Sequence, residues 1–353
     1  MIAQMRDIVA SELAPTATPD HASGLAAALY AGRHVEFFSY GLADDATKRK
    51  VTPDTLFNLA SLRKPFEAAL VALGVVRGEL RLDDRLPKYL PELNGDYIRN
   101  VTVGQLATHT SGLLLPTDHP PWPNDEYTRE QFIAMLNGFA PAVSVAPGRQ
   151  RVYTHAGYVL LQLVLERCYG MPIGALIQHR LLRPLAMEAT FIPERGADNR
   201  AVMDAAWMQR AVQGYSDQGT AVGPIGDQQS YFDFPGTGQM FASVRDLAAF
   251  AAACVDGRAI DPHLREALRM TQREAFRIDD KFGQGMGWET VRLPGVTVID
   301  KPGGLNNASG YLGLVPVRRI GIVLLANRGE YPHEIARYKI LPELARLITS
   351  HAS

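Results

Sequence analysis

Ser61-Leu62-Arg63-Lys64 is the first place in this chain where residue types and spacing combine into chemistry. Positions i and i+3 at the start of a helix share a face, so the hydroxyl and the amine can meet. A serine hydroxyl becomes a useful nucleophile only when a neighbouring base takes its proton. A lysine deprived of water can be that base, because desolvation lowers its pKa. Lysine is scarce here: of 36 basic residues, 29 are Arg and seven are Lys, at 48, 50, 64, 88, 281, 301 and 339. Arg keeps its proton in proteins and Lys need not, so each Lys merits attention. The spacing alone is weak, since twelve serines and this Lys frequency give roughly 0.24 chance occurrences of so short a motif.

Two further segments could complete a proton-transfer site. Arg151-Val152-Tyr153-Thr154-His155-Ala156-Gly157-Tyr158 leads into an apolar helical pattern. A phenol at Tyr153 can give a proton or, as phenolate, take one; alone, it reads more simply as a packing tyrosine. Lys301-Pro302-Gly303-Gly304 follows an apolar strand-like run. Its glycines would let an acyl group approach the backbone closely, and read alone it is a turn.

The elements that must position these residues come from both ends of the chain. Leu25–Tyr30 and His34–Tyr40 flank Ala31-Gly32-Arg33 as a hairpin. Val296–Asp300, Gly310–Val315 and Ile320–Ala326 read as strands, with Pro316-Val317-Arg318-Arg319 turning between the last two. A helix is expected from about Ile335 to Ile348, kinked or interrupted by Pro342. Helical spacing follows Ser61 (Phe66, Leu70, Leu73) and Tyr153 (Tyr158, Leu161, Val164, Leu165), and recurs over Asp246–Cys254 and Pro262–Met270. Pro/Gly-rich stretches at 115–124, 141–149 and 223–238 read as long loops. The expected organisation is an α+β fold: residues 1–76 and 285–353 form an antiparallel sheet flanked by helices, residues 77–284 a mainly helical region, with the site at their junction.

Bulk properties fit a globular chain. At 353 residues, 46% hydrophobic, 21% charged and net charge −1, it carries no global field suited to nucleic acid. The longest apolar run is too short to span a bilayer, and Met1 is not followed by a secretory pattern. Cys168 and Cys254 are expected to be buried free thiols.

Taken together, Ser61-x-x-Lys64, Tyr153-Thr154-His155 and Lys301-Pro302-Gly303 occur in the order found in class C serine β-lactamases, and the chain resembles that family and its penicillin-binding-protein-like relatives. Val51-Thr52-Pro53-Asp54-Thr55-Leu56-Phe57, Leu106-Ala107-Thr108-His109-Thr110-Ser111-Gly112-Leu113, Pro184-Leu185, Ser243-Val244-Arg245-Asp246-Leu247-Ala248 and Gly321–Asn327 extend the resemblance from about residue 5 to 350, and Tyr331-Pro332 tilts it toward class C. The resemblance implies a β-lactamase/transpeptidase-like fold and a Ser61 acyl-enzyme. It makes Lys64 and Tyr153 the proton-transfer pair. Lys301 would hold the tyrosine's charge and help dock a substrate carboxylate. The oxyanion hole would be the backbone N–H groups of Ser61 and Gly304. Substrate contacts would come from His155, Pro302, Gly303, Asn306, Asn307, His333 and Arg337. The relatives also imply a small β-lactam or D-peptide-like substrate, no obligate cofactor, a monomer and a periplasmic location.

This chain departs from the class C pattern where substrate would lie. His155 stands in place of an asparagine, Pro302 in place of a threonine, and His333 near another asparagine. The usual pocket tyrosine is missing, and Tyr231, Phe232 or Phe234 is expected to substitute. Zinc through His155 would need convergent ligands such as His109, His119 or His333, and no spacing motif links them, so a hydrogen-bonding histidine is the expectation. Three activities fit: β-lactam hydrolysis, D-peptide or ester hydrolysis, and slow-deacylating β-lactam sensing.

Overall fold

The computed structural model describes residues 1–16, 24–118, 127–141, 145–195, 201–226, 240–257, 260–329 and 333–352. Its first strand, β1 (Gly24–Ala31), is buried at all eight positions. A strand covered on both faces must be apolar throughout rather than alternating, and Leu25-Ala26-Ala27-Ala28-Leu29 supplies that run. Gly32 and Arg33, at φ 50° and 97°, turn it into β2 (His34–Asp44). Positive φ at both central residues gives the turn whose twist matches a hairpin.

The remaining strands are β3 (Arg49–Lys50), β4 (Phe57–Asn58), β5 (Glu194–Arg195), β6 (Ala201–Val202), β7 (Phe241–Ala242), β8 (Phe276–Arg277), β9 (Phe282–Gln284), β10 (Glu289–Leu293), β11 (Val296–Leu305), β12 (Ala308–Val315) and β13 (Ile320–Ala326). One nine-stranded antiparallel sheet runs β3-β2-β1-β13-β12-β11-β10-β9-β8, while β4 pairs with β7 and β5 with β6. The two chain ends therefore join at the middle of the sheet, with Leu25 opposite Ala326 and Ala31 opposite Ile320.

Helices cover both faces. On one, helix Ile2–Leu13 buries Met5, Val9 and Leu13 against Ala27, Leu29, Ile322 and Leu344. On the other, helices Lys64–Val76, Val244–Val255 and Pro262–Gln272 contribute to the larger core, where Phe66 stacks on Phe250 at 4.1 Å. Antiparallel sheet and flanking helices agree with the α+β expectation.

Several local expectations need correction. Lys301-Pro302-Gly303-Gly304 is no turn: β11 runs through it to Leu305. Residues 276–293 hold three strands that were not anticipated, so the sheet reaches back to Phe276, before residue 285. The amphipathic helix Ile2–Leu13 was also unanticipated. Near the C-terminus the irregularity expected around Pro342 is present: the helix widens to a π turn over Ala336–Ile340 and passes directly into Leu341–Ala352. Cys254 is a buried free thiol, but Cys168 is only partly buried. His119, Tyr231, Phe232, Phe234, Tyr331 and Pro332 lie outside the described residues.

Candidate active site

The chain reaches Ser61 through a tightly held bend. Leu59 N–H donates to the Met240 carbonyl at 2.8 Å, and Ala60 N–H donates to Asn58 Oδ1 at 3.0 Å. Ala60 takes φ 47°, a left-handed conformation that costs a residue with a β-carbon about 1–2 kcal/mol. Strain beside a would-be nucleophile is common where geometry is over-determined. A short 3-10 turn, Ala60–Arg63, carries Ser61 and leads into helix Lys64–Val76 with Pro65 in its first turn. The serine thus sits at a helix N-terminus, where the dipole favours developing negative charge.

Tyr153 arrives from the start of helix His155–Tyr169. Thr154 caps that helix, its side chain accepting the Gly157 N–H. Asp118 reinforces the same end: its carboxylate accepts N–H groups of His155 (2.6 Å), Ala156 (3.1 Å) and Leu115 (2.9 Å), and the Thr154 hydroxyl at 2.9 Å. Nothing in the Asp118 sequence context announced this role.

The three polar groups converge. Ser61 Oγ lies 2.8 Å from the Tyr153 hydroxyl and 3.2 Å from Lys64 Nζ. Lys64 Nζ is 5.2 Å and Lys301 Nζ 4.9 Å from the centre of the Tyr153 ring. Burial alone would raise the Tyr153 pKa, but Lys301 and Lys64, with the hydrogen bonds from Ser61 and Lys64, outweigh it and bring the phenol down to about 7. Burial is also the main cause lowering the Lys64 pKa, with Tyr153 opposing and Lys301 assisting. A poised phenol and an ammonium within reach of one hydroxyl can move its proton near neutral pH.

β11 supplies the third wall. Side chains alternate along a strand, so Lys301 and Gly303 share the face toward Ser61. A β-carbon on Gly303 would sit 3.1 Å from the Leu59 carbonyl and from the Ser61 and Leu62 nitrogens, which is why this position has none. β10 pairs with β11 only up to Glu289 opposite Asp300, leaving an open edge beyond. Pro302 lies opposite Tyr311 within the β11–β12 ladder. Proline has no N–H to give, so it fits where its nitrogen faces that open edge. Two residues on, Gly304 turns its N–H to the same edge.

Ser61, Tyr153 and Lys301 line an open cleft of about 1120 Å³, with His155, Glu289 and His333 on its walls. The His155 ring meets Tyr153 edge-on at 5.5 Å, and His333 stacks on Tyr311 at 6.4 Å. Pro302, Gly303 and Gly304 also line it. Three expected substrate contacts do not. Asn306 is exposed at the β11–β12 turn, outside the cleft lining. Asn307 is buried and instead borders a tiny cavity with Asn58 and Gly214. Arg337 is buried behind the site, where it donates to Asp300 at 2.7 and 2.9 Å and to Glu289 at 3.1 Å. Tyr311 donates to the same Asp300 at 2.7 Å. Glu289 also receives Arg151 at 3.3 Å, so it bridges the two arginines. Arg337 serves a buried charge network, and spacing could not tell that from a substrate contact.

Among the described residues, no three His, Cys, Asp or Glu side chains converge as a metal site requires. No single helix among them is long and apolar enough to cross a membrane.

Known proteins match this arrangement along nearly the whole chain. A beta-lactamase of Pseudomonas fluorescens is 25% identical over 93% of this chain and 95% of its own length. One from Escherichia coli (strain K12) is 26% identical over 94% and 90%. A solved class C beta-lactamase is 25% identical and superposes with a TM-score of 0.82, covering 97% of this chain and 96% of that one. A solved beta-lactamase/D-alanine carboxypeptidase from Pseudomonas syringae, 23% identical with 99% coverage of both chains, has a TM-score of 0.81. The family profile described as Beta-lactamase matches residues 9–344, and this chain, a serine hydrolase by family, belongs to it.

Proposed function

We propose that the protein hydrolyses β-lactams through a Ser61 acyl-enzyme, in the manner of class C β-lactamases. The observation that carries this reading is the joint approach of Tyr153 Oη and Lys64 Nζ to Ser61 Oγ, at 2.8 and 3.2 Å. With the phenol near 7, about half the molecules at neutral pH carry a phenolate beside Ser61. That phenolate takes the Ser61 proton as Oγ bonds to the acyl carbon. The Ser61 and Gly304 N–H groups receive the oxyanion, a donor pair of which each member is worth ~3 kcal/mol in such sites. The proton then passes to the departing amine nitrogen, and the reverse relay activates water against the acyl-enzyme. Lys301 balances the phenolate charge and offers a cation to a substrate carboxylate. No metal takes part in this scheme.

The test is turnover of a penicillin, cephalosporin and carbapenem panel by wild type and Ser61→Ala, with mass spectrometry of intact protein. A transient adduct on wild type, lost in Ser61→Ala, is expected. Failure to open any member would sink the reading, and a long-lived Ser61 adduct would favour a sensor.

A second reading, hydrolysis of D-peptides or esters, draws on the cleft itself. Its 1120 Å³ slightly exceeds the ~300–1,000 Å³ usual for small-ligand sites, and His155 and Pro302 alter the walls. Preference for a D-alanyl peptide or a short nitrophenyl ester over every β-lactam would select it. The family resemblance, and not the choice between these substrates, carries export to the periplasm; recovery in the cytoplasmic fraction after osmotic shock of the native host would count against that.

A further inference from the structure

His109 belongs to the Leu106–Leu113 segment, which the acyl-transfer scheme leaves unused. It is 1% exposed and takes φ 55°, a backbone state that a residue with a β-carbon holds only under constraint. Three of its groups reach the Tyr153 segment. Its carbonyl accepts the Val152 N–H at 2.7 Å. Its Nδ1 accepts the Thr154 N–H at 3.4 Å. Its ring lies 4.4 Å from the Tyr153 ring, tilted by 33°. The residues on either side of Tyr153 are thus tied to one histidine, and the phenol lies against its imidazole. Tyr158 backs the imidazole at 5.0 Å and is itself fixed by donating to the Ala107 carbonyl at 2.9 Å.

We propose that His109 is the positioning residue for Tyr153, fixing the phenol oxygen between Ser61, Lys64 and Lys301 as a neutral imidazole protonated on Nε2. An Nδ1 that accepts a hydrogen bond cannot carry the proton, so the neutral ring must hold it on Nε2. Nε2 is buried with no hydrogen-bond partner among the described residues. A ring kept only for packing gains nothing from such an atom, and phenylalanine would avoid it. The groups around the ring are Lys64 from the Ser61 helix, Lys301 from β11, Arg151 and Tyr153 from the segment before the next helix, and His155 and Tyr158 on that helix. Burial first, then these cations, keep the imidazole well below the ordinary histidine range. It therefore stays uncharged where Tyr153 ionises.

This inference rests on Tyr153 being the proton partner of Ser61, so its test is read first without substrate. His109→Phe keeps a ring and deletes Nδ1. His109→Asn keeps an acceptor near Nδ1, suits the left-handed backbone and deletes the ring. Tyr153 ionisation is followed by tyrosinate ultraviolet absorbance, with Tyr153→Phe as blank, and thermal midpoints are recorded alongside. The Tyr153 midpoint should rise by roughly one pH unit in both variants as the oxygen loses its place between two cations. The acid limb of kcat/KM should move with it, and kcat should fall by roughly 10²-fold while KM changes little. The Asn variant should lie between wild type and Phe. Unmoved midpoints and limbs in folded variants would overturn the proposal even if activity fell. Absence of any low-midpoint tyrosinate in the wild type would overturn this proposal and the reading beneath it. Should neither variant fold, nitrogen NMR of histidine-labelled wild type decides: Nε2–H between about pH 6 and 8 supports the role, and Nδ1–H or a doubly protonated ring refutes it.

Discussion

Lys301→Ala separates two jobs that one ammonium could perform, holding the Tyr153 charge and docking a substrate carboxylate. Lys301 Nζ lies 4.9 Å from the Tyr153 ring centre. At an effective dielectric of about 20, a unit charge at that range is worth roughly 3 kcal/mol, or about 2 pH units on the phenol. Lys301 acts to lower the phenol pKa, so its loss raises it, from about 7 to roughly 9 by this Coulomb figure. The sign follows from the proposed mechanism: with phenolate as the active form, the acid limb of the rate profile sits at its pKa, and a raised pKa moves that limb to higher pH. At neutral pH the phenolate fraction should then fall from about a half to about one per cent, a loss on the order of fifty-fold that shrinks as pH approaches 10. The assay is kcat/KM against pH with a nitrophenyl acetate ester, which has no carboxylate to dock. A loss of equal size at every pH, with the limb unmoved, would refute the electrostatic role. A loss confined to carboxylate-bearing substrates would assign Lys301 to docking alone.

Gly303→Ala should leave the protein folded yet lower kcat roughly 10²-fold, since the new β-carbon presses the Ser61 turn and small displacements of reacting groups are costly; steady-state kinetics with circular dichroism checks this. Arg337→Ala should lower stability by about 3–5 kcal/mol, because Asp300 would be left a buried carboxylate without its cation; denaturant unfolding measures it, and a change in KM with unchanged stability would restore Arg337 to the substrate. Asp118→Ala should cost about 2 kcal/mol by uncapping the helix that carries His155, again read by unfolding. His155→Asn should alter relative kcat/KM across a β-lactam panel more than it alters the thermal midpoint; identical kinetics would mark the substitution as silent.

What could be read from the sequence divides along a physical line. Ser61 and Lys64 were legible because i,i+3 spacing on a helix fixes their relation without help from the rest of the chain. β1 and β13 were legible because a doubly covered strand must be apolar along its length, whereas the largely uncovered β2 was legible only as the hairpin partner across Gly32-Arg33. Arg337 was not, because a basic residue near a cleft looks the same whether it faces substrate or a buried acid. Only the fold sets Asp300 and Glu289 against it. Asn306 and Asn307 are the two residues of the β11–β12 turn, yet one is exposed and the other buried, a difference set by what packs against the turn and not by residue type. The roles of Asp118 and His109 escaped notice for the opposite reason: much of what each does is to accept main-chain N–H groups, which leave no mark in residue types.

β11 shows how that parity organises the site. Asp300 and Lys301 are neighbours of opposite charge pointing to opposite faces of one strand. Asp300 is locked to Arg337 and Tyr311 on the side of the N- and C-terminal helices, and Lys301 faces Tyr153 and the Ser61 turn. Burial raises the Asp300 pKa while Arg337 pulls it back, so the acid remains a partner only as long as the arginine stays. The strand is thereby pinned from behind, just where β10 stops pairing and an unsupported edge begins. Pro302 can occupy that edge only because its nitrogen has no ladder bond to lose, and the same parity hands the Gly304 N–H to the cleft. A threonine at 302 would restore an edge N–H and add a hydroxyl beside it. The proline therefore withholds an edge N–H from the cleft that it lines, while the proposed proton relay at Ser61, Lys64 and Tyr153 uses no group of residue 302.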